Sequence, residues 1–124
     1  MLPLLALGLL LLTAIFGLVL AAFYLGAGAG FEIHWPVGSV HGALGVAGLV
    51  TLIAGLAGPP RGVAMGVGAF GRIAAVLLAL ALAAGLTIMV IRLRSRRLPV
   101  LLVAMHLTIA ITGIVILAAY ALVS

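Results

Sequence analysis

Apolar residues run along this chain in four long stretches, near 4–25, 37–57, 73–91 and 99–123. Each is close to the roughly 20 residues that a helix needs to cross a bilayer core. Membrane β-strands would alternate apolar and polar positions. These runs are continuous, so helices are expected. The breaks between them are explicit. Gly26-Ala27-Gly28-Ala29-Gly30 ends the first run and Gly58-Pro59-Pro60 ends the second, because proline cannot continue the helical hydrogen-bond ladder. Arg92 to Pro99 makes a short basic turn between the third and fourth. Ala27-Gly28-Ala29 has the spacing of a signal-cleavage site. No Lys or Arg precedes the run, however, and about 22 apolar residues exceed a signal core. The first run therefore reads as a retained helix. The expectation is an all-α integral membrane protein. It is one transmembrane domain over 1–124, an up-down-up-down four-helix bundle.

Composition removes the soluble alternative. The chain is 68% hydrophobic and 6% charged, against about 25% charged in ordinary soluble domains. A chain this small leaves too much surface exposed to hide such a share from water. The surrounding medium must itself be apolar, and the lipid bilayer is the first partner. The chain has no cysteine, which excludes disulfides, thiolate metal sites and covalent haem attachment.

The net charge of +5 rests on Arg61, Arg72, Arg92, Arg94, Arg96 and Arg97. These residues stand at the ends of apolar runs, which is a topology signal rather than a nucleic-acid surface. Four arginines in the third connection against two in the second favour a cytoplasmic 92–97 turn, expected in a bacterial inner membrane. The loop 59–71 is apolar and Gly-rich, suited to the membrane surface or to an extension of the third helix. Its Gly66-Val67-Gly68-Ala69-Phe70-Gly71 spells G-x-G-x-x-G. A dinucleotide site also needs a preceding strand and a βαβ unit, so that reading fails.

The chemistry rests on two histidines in equivalent places. The segment His41-Gly-Ala-Leu-Gly-Val-Ala-Gly-Leu-Val50 aligns with His106-Leu-Thr-Ile-Ala-Ile-Thr-Gly-Ile-Val115. The histidine, the glycine at the eighth place and the last valine coincide, and only Gly42 and Leu107 differ in kind. The alignment suggests a two-helix internal repeat. His41 lies 17 residues before Gly58, and His106 lies 18 before Ser124. At 1.5 Å per residue both rings sit roughly 26 Å from that end of their helices. The second and fourth helices of such a bundle face each other diagonally. On the histidine faces Gly45, Gly48, Ala110 and Gly113 are small, which suits close helix approach or a flat macrocycle.

A polar ring inside a bilayer is costly unless paired, and this makes His41 and His106 functional candidates. Two imidazoles from facing helices can fill both axial positions of a haem iron. Arg92, Arg94, Arg96 and Arg97 lie toward the nearer face, where anionic propionates would find them. This arrangement resembles the small membrane cytochromes b, whose helical bundles hold haem b between histidines of different helices. The resemblance covers the second and fourth helices. It implies that His41 and His106 are axial ligands, with no catalytic residues. It also implies an electron-carrying subunit whose partner is a redox protein, a membrane complex or a quinone, rather than a stand-alone enzyme.

Other readings stay beside it. The histidines can act as interhelical glue, bonded to a neighbouring carbonyl or to a Thr such as Thr51 or Thr108; the chain would then be a cofactor-free anchor of a larger complex. One histidine would suffice for a chlorophyll-like pigment. Zinc wants four ligands, which this depth does not offer. A small transporter would need ionisable groups near the midplane or broken helices. Gly38 and Gly42 form a small-xxx-small pair suited to packing. Glu32 and His34 read as loop residues, Trp35 as an interfacial anchor, and Thr13, Thr87, Tyr24 and Tyr120 as mild polar groups within spans.

Overall fold

In the computed structural model, which describes residues 1–26, 35–95 and 99–123, the chain forms four long helices. They are α1 (Leu2–Gly26), α2 (Trp35–Leu56), α3 (Phe70–Arg94) and α4 (Val100–Ala121), with a 3-10 turn at Val63–Met65. No strand occurs among the described residues. All four helices are long and apolar enough to span a membrane. The architecture is the expected all-helical four-helix bundle.

The boundaries moved most at α3, which is longer at both ends than its apolar run. Arg72 lies in its first turn and Arg92 and Arg94 in its last. Long arginine stems let a helix continue past the hydrocarbon while the charge stays in the polar layer. The end of the preceding loop, Phe70 and Gly71, extends α3 as expected, and the rest of it is built around the 3-10 turn. Gly62 and Gly66, with φ of 64° and 75°, take a left-handed backbone that only glycine enters without cost, and so bracket the 3-10 turn. Arg61 then donates through Nε and a terminal guanidinium nitrogen to the Val123 carbonyl, at 3.1 and 2.9 Å. That bond ties the loop to the end of α4.

The helices form a ring in the order α1, α2, α3, α4. α1 packs most closely on α2 and α3 on α4, while α2–α3 and α4–α1 are the looser seams. α2 and α4 are therefore diagonal. The close pairs are antiparallel hairpins in a fixed register. Gly55 meets Leu2 and Pro3, Gly48 meets Leu10, and Gly17 meets His41. In the other hairpin Gly71 meets Tyr120, Gly113 meets Leu78, and Gly85 meets His106. α3 repeats α1 at an offset of 68 positions (Leu2 to Phe70), and α4 repeats α2 at 65 (Trp35 to Val100). Two such copies with the same direction are related by a pseudo-twofold axis along the membrane normal. The expected repeat thus extends to all four helices.

The core obeys the same symmetry. Ala6 and Ala74 are its equivalent residues in α1 and α3, as are Leu10 and Leu78; Leu52 and Leu117 are the pair in α2 and α4, and all six are buried. Every fully buried described residue lies between the α2–α3 connection and the level of Thr13 and Ala81. From there to the Arg92 end, no described residue is fully buried. One half of the bundle is closed by packing and the other is looser.

Candidate functional site

His41 and His106 stand at the junction of these two halves. Their helices are diagonal, yet the rings reach across the bundle to a centroid separation of 6.1 Å, with planes inclined at 74°. His41 Nδ1 lies 2.9 Å from the carbonyl oxygen of Thr13 on α1. His106 Nδ1 lies 2.8 Å from the carbonyl oxygen of Ala81 on α3. A carbonyl only accepts, so each Nδ1 carries the proton and donates it. In a neutral imidazole Nε2 is then the bare nitrogen.

The two acceptors are placed by local sequence. Within an α-helix a carbonyl normally accepts from the residue four positions on. Thr13 and Ala81 share theirs with a histidine, and in both helices the residue four positions on is glycine. An added Cβ at Gly17 would lie 2.8 Å from His41 Cε1, and one at Gly85 would lie 3.1 Å from His106 Cε1. Glycine is what lets each ring lie against the neighbouring backbone. Neither glycine is among the residues expected from the sequence. The signal for them is the α1–α3 repeat, in which Ala6, Leu10 and Gly17 recur as Ala74, Leu78 and Gly85; the alignment of α2 with α4 alone does not reach it.

The chain matches no family model, no curated protein and no solved structure. The site is therefore read from its own geometry.

The small residues expected around a macrocycle serve helix packing in this structure. An added Cβ at Gly48 would lie 2.6 Å from Leu10 Cγ, and one at Gly113 would lie 3.0 Å from Leu78 Cγ. Gly45 faces Thr13, with 3.5 Å from an added Cβ to the Thr13 methyl. Ala110, its counterpart on α4, is half-buried. All four lie on the closed side of the histidines, and the three glycines face the neighbouring helix of their hairpin there. On the open side Arg92 and Arg94 are exposed at the end of α3. Arg92 is seven residues beyond Gly85, about 10 Å along the helix. Arg96, Arg97, Glu32 and His34 lie outside the described residues.

The threonines are accounted for. Thr13, Thr51, Thr87, Thr108 and Thr112 each donate to the carbonyl four residues earlier on their own helix, as mid-helix threonines do. Thr51 and Thr108 are thus not the partners of the histidines. Among the described residues no group of three or more His, Cys, Asp or Glu gathers around a possible metal ion. The pair offers two nitrogen ligands and no more. That donor set suits a metal whose other positions are filled by its own macrocycle.

Proposed function

We propose that this chain is a membrane-embedded b-type cytochrome or cytochrome-like subunit, with His41 and His106 as axial ligands of one haem b. The observation that carries this reading is the diagonal histidine pair itself. At the ordinary metal–imidazole distance of about 2.0–2.1 Å, two imidazoles on opposite sides of one metal have ring centres about 6 Å apart. The observed 6.1 Å fits that span. The fit extends to the outer partners. A ligating histidine typically gives its other N–H to a carbonyl or carboxylate, which fixes the tautomer and raises the basicity of the ligating nitrogen. Thr13 and Ala81 supply those carbonyls. Beyond the rings no described residue is fully buried, and the exposed Arg92 and Arg94 at that end would be cationic partners for propionates.

When bound, such a haem would supply one-electron transfer with both axial positions occupied. The chain's residues hold and orient the two ligands, keep water from one side through the packed core, and anchor the site in the bilayer. The proposed partner is a redox protein, a membrane complex or a quinone. The 92–97 turn is proposed to face the cytoplasm of a bacterial inner membrane, from the arginine bias.

The test is an absorption spectrum of the purified protein, oxidised and then dithionite-reduced. A sharp reduced α-band and strong Soret peak are expected, both lost in His41→Ala and in His106→Ala. A protein that stays colourless after haem is supplied would sink the cytochrome reading. A second reading has one observation in its favour: each histidine also ties two helices together through its Nδ1–carbonyl bond, as interhelical glue does. In that case the chain is a cofactor-free anchor, and both substitutions lower only the bundle's stability.

A further inference from the structure

Each ring of the histidine pair is held by the backbone of a neighbouring helix at two places one turn apart. His41 Nδ1 bonds the Thr13 carbonyl at 2.9 Å, and His41 Cε1 lies 2.8 Å from the Cβ position of Gly17. His106 Nδ1 bonds the Ala81 carbonyl at 2.8 Å, and His106 Cε1 lies 3.1 Å from the Cβ position of Gly85. α1 and α3 run unbroken through these levels, so carbonyl and glycine are fixed relative to each other. A hydrogen bond weakens steeply once its donor angle falls away from linear. Turning either ring therefore costs it that bond.

The rings held in this way are crossed. Their planes meet at 74°, with centres 6.1 Å apart. Consider two imidazoles bound through Nε2 on opposite sides of one metal. Each plane contains the metal–nitrogen axis, so the angle between the planes is their twist about that axis. Ligation alone leaves this twist free. The outer bonds do not, because Nδ1 lies off the axis. A ring that turns about it swings Nδ1 away from its carbonyl, and a ligating histidine is oriented by just such an outer partner.

We propose that the main-chain carbonyls of Thr13 and Ala81, with Gly17 and Gly85 making room for the rings, are positioning groups that hold the axial imidazole planes of a bound haem crossed rather than parallel. The inference rests on the haem reading for its occupant and on the ring geometry for its content. An imidazole donates π density to the iron d orbital that stands perpendicular to its own plane. Parallel planes raise one of the two such orbitals and leave the other. Crossed planes raise both about equally, so the unpaired electron of the ferric state is shared between two orbitals of similar energy. Hydrogen bonding to the ligands is one of the levers a protein has on a haem iron, and here it acts through the backbone.

The experiment is low-temperature EPR of the oxidised full chain, loaded with haemin as the probe. A single, strongly anisotropic low-spin line at low field is expected, the signature of crossed planes. A three-line rhombic low-spin spectrum, the signature of parallel planes, would overturn the proposal and leave the haem reading standing. Absence of any low-spin ferric signal would reject bis-histidine ligation itself, and the inference with it. Gly17→Ala, which displaces the His41 ring, is expected to shift the line, and Gly85→Ala to shift it less. Gly8→Ala, where nothing lies within 4 Å of the new methyl, is expected to leave it in place. An unmoved line in a Gly17→Ala protein that binds haem would overturn the anchoring, since a purely structural role would change affinity alone. A second measurement needs no haem. Nitrogen-15 NMR of the haem-free chain in bilayers is expected to show Nδ1 protonated and Nε2 bare in both His41 and His106. A proton on Nε2 in place of Nδ1 at either histidine would overturn its anchor whatever the EPR result.

Discussion

The two ends of this bundle are built from the same four helices and almost the same amino acids, yet they pack differently. Toward the α2–α3 connection, Ala6, Leu10, Leu52, Ala74, Leu78 and Leu117 fit without exposed surface worth the name. Toward Arg92 no described residue is fully buried. Lipid is as apolar as leucine, so hydrophobicity alone does not close helices on one another within a bilayer; close packing and hydrogen bonds do. At the closed end glycines meet leucines across each hairpin. At the junction the close approach is spent on histidine rings, and beyond it every described residue keeps some exposed surface. The difference teaches that close packing in this chain is concentrated at the α2–α3 end, with the histidine pair at its boundary.

The sharpest way to break this comparison is to truncate equivalent core residues. Leu52→Ala and Leu117→Ala remove side chains with no exposed surface, and each is expected to cost about 2–5 kcal/mol of bundle stability. Ile88→Ala, in the half-buried open end, is expected to cost under about 1.5 kcal/mol. Unfolding of the three variants in mixed micelles by SDS would measure this. Equal losses would mean that the two ends are packed alike and that the functional division drawn here is wrong.

Next in size are the two glycines that seat the rings. Gly17→Ala places a methyl 2.8 Å from His41 Cε1. The ring must move, and moving it breaks the 2.9 Å bond to Thr13. For a ligating histidine, loss of such an outer partner weakens metal affinity about 10–100-fold. Gly85→Ala has slightly more room, at 3.1 Å, so a shift of a few tenths of an ångström relieves it and the loss is smaller. Haem titration of both variants checks the order. The same titration with Gly8→Ala, where nothing lies within 4 Å of the new methyl, should show no change. A Gly17→Ala protein that binds haem with wild-type affinity would remove Gly17 from the site.

Much of this was legible in the residues. The spans follow from apolar runs of the right length. The diagonal placement of His41 and His106 follows from four short-connected helices, and their common depth from counting to the helix ends. The role of Gly48 and Gly113 was legible only as an ambiguity, because a small residue fits a leucine knob as well as a macrocycle. What decides is the neighbouring helix, and the sequence does not state the register of one helix against another. For the same reason the hydrogen-bond partners of the histidines were out of reach. They are main-chain carbonyls, which every residue has, so no side chain at position 13 or 81 announces them. The glycines four residues later carry that information, and they stand out only once α1 is aligned with α3.

That distinction sets the smallest and most discriminating expectation. Thr13 and Ala81 are equivalent positions that differ by a hydroxyl and a methyl, and both accept from a histidine through the main chain. The Thr13 hydroxyl is already committed to the Leu9 carbonyl at 2.8 Å, so it contributes nothing to His41. Thr13→Ala should make the hairpins alike at this point. The lost methyl is small and faces Gly45, and the stability cost should be about 1 kcal/mol. The haem spectrum and affinity should be those of the wild type, since the accepting carbonyl remains. If Thr13→Ala instead weakens haem binding as much as Gly17→Ala, the side chain and not the backbone orients His41. The symmetry between Thr13 and Ala81 would then be one of position and not of function.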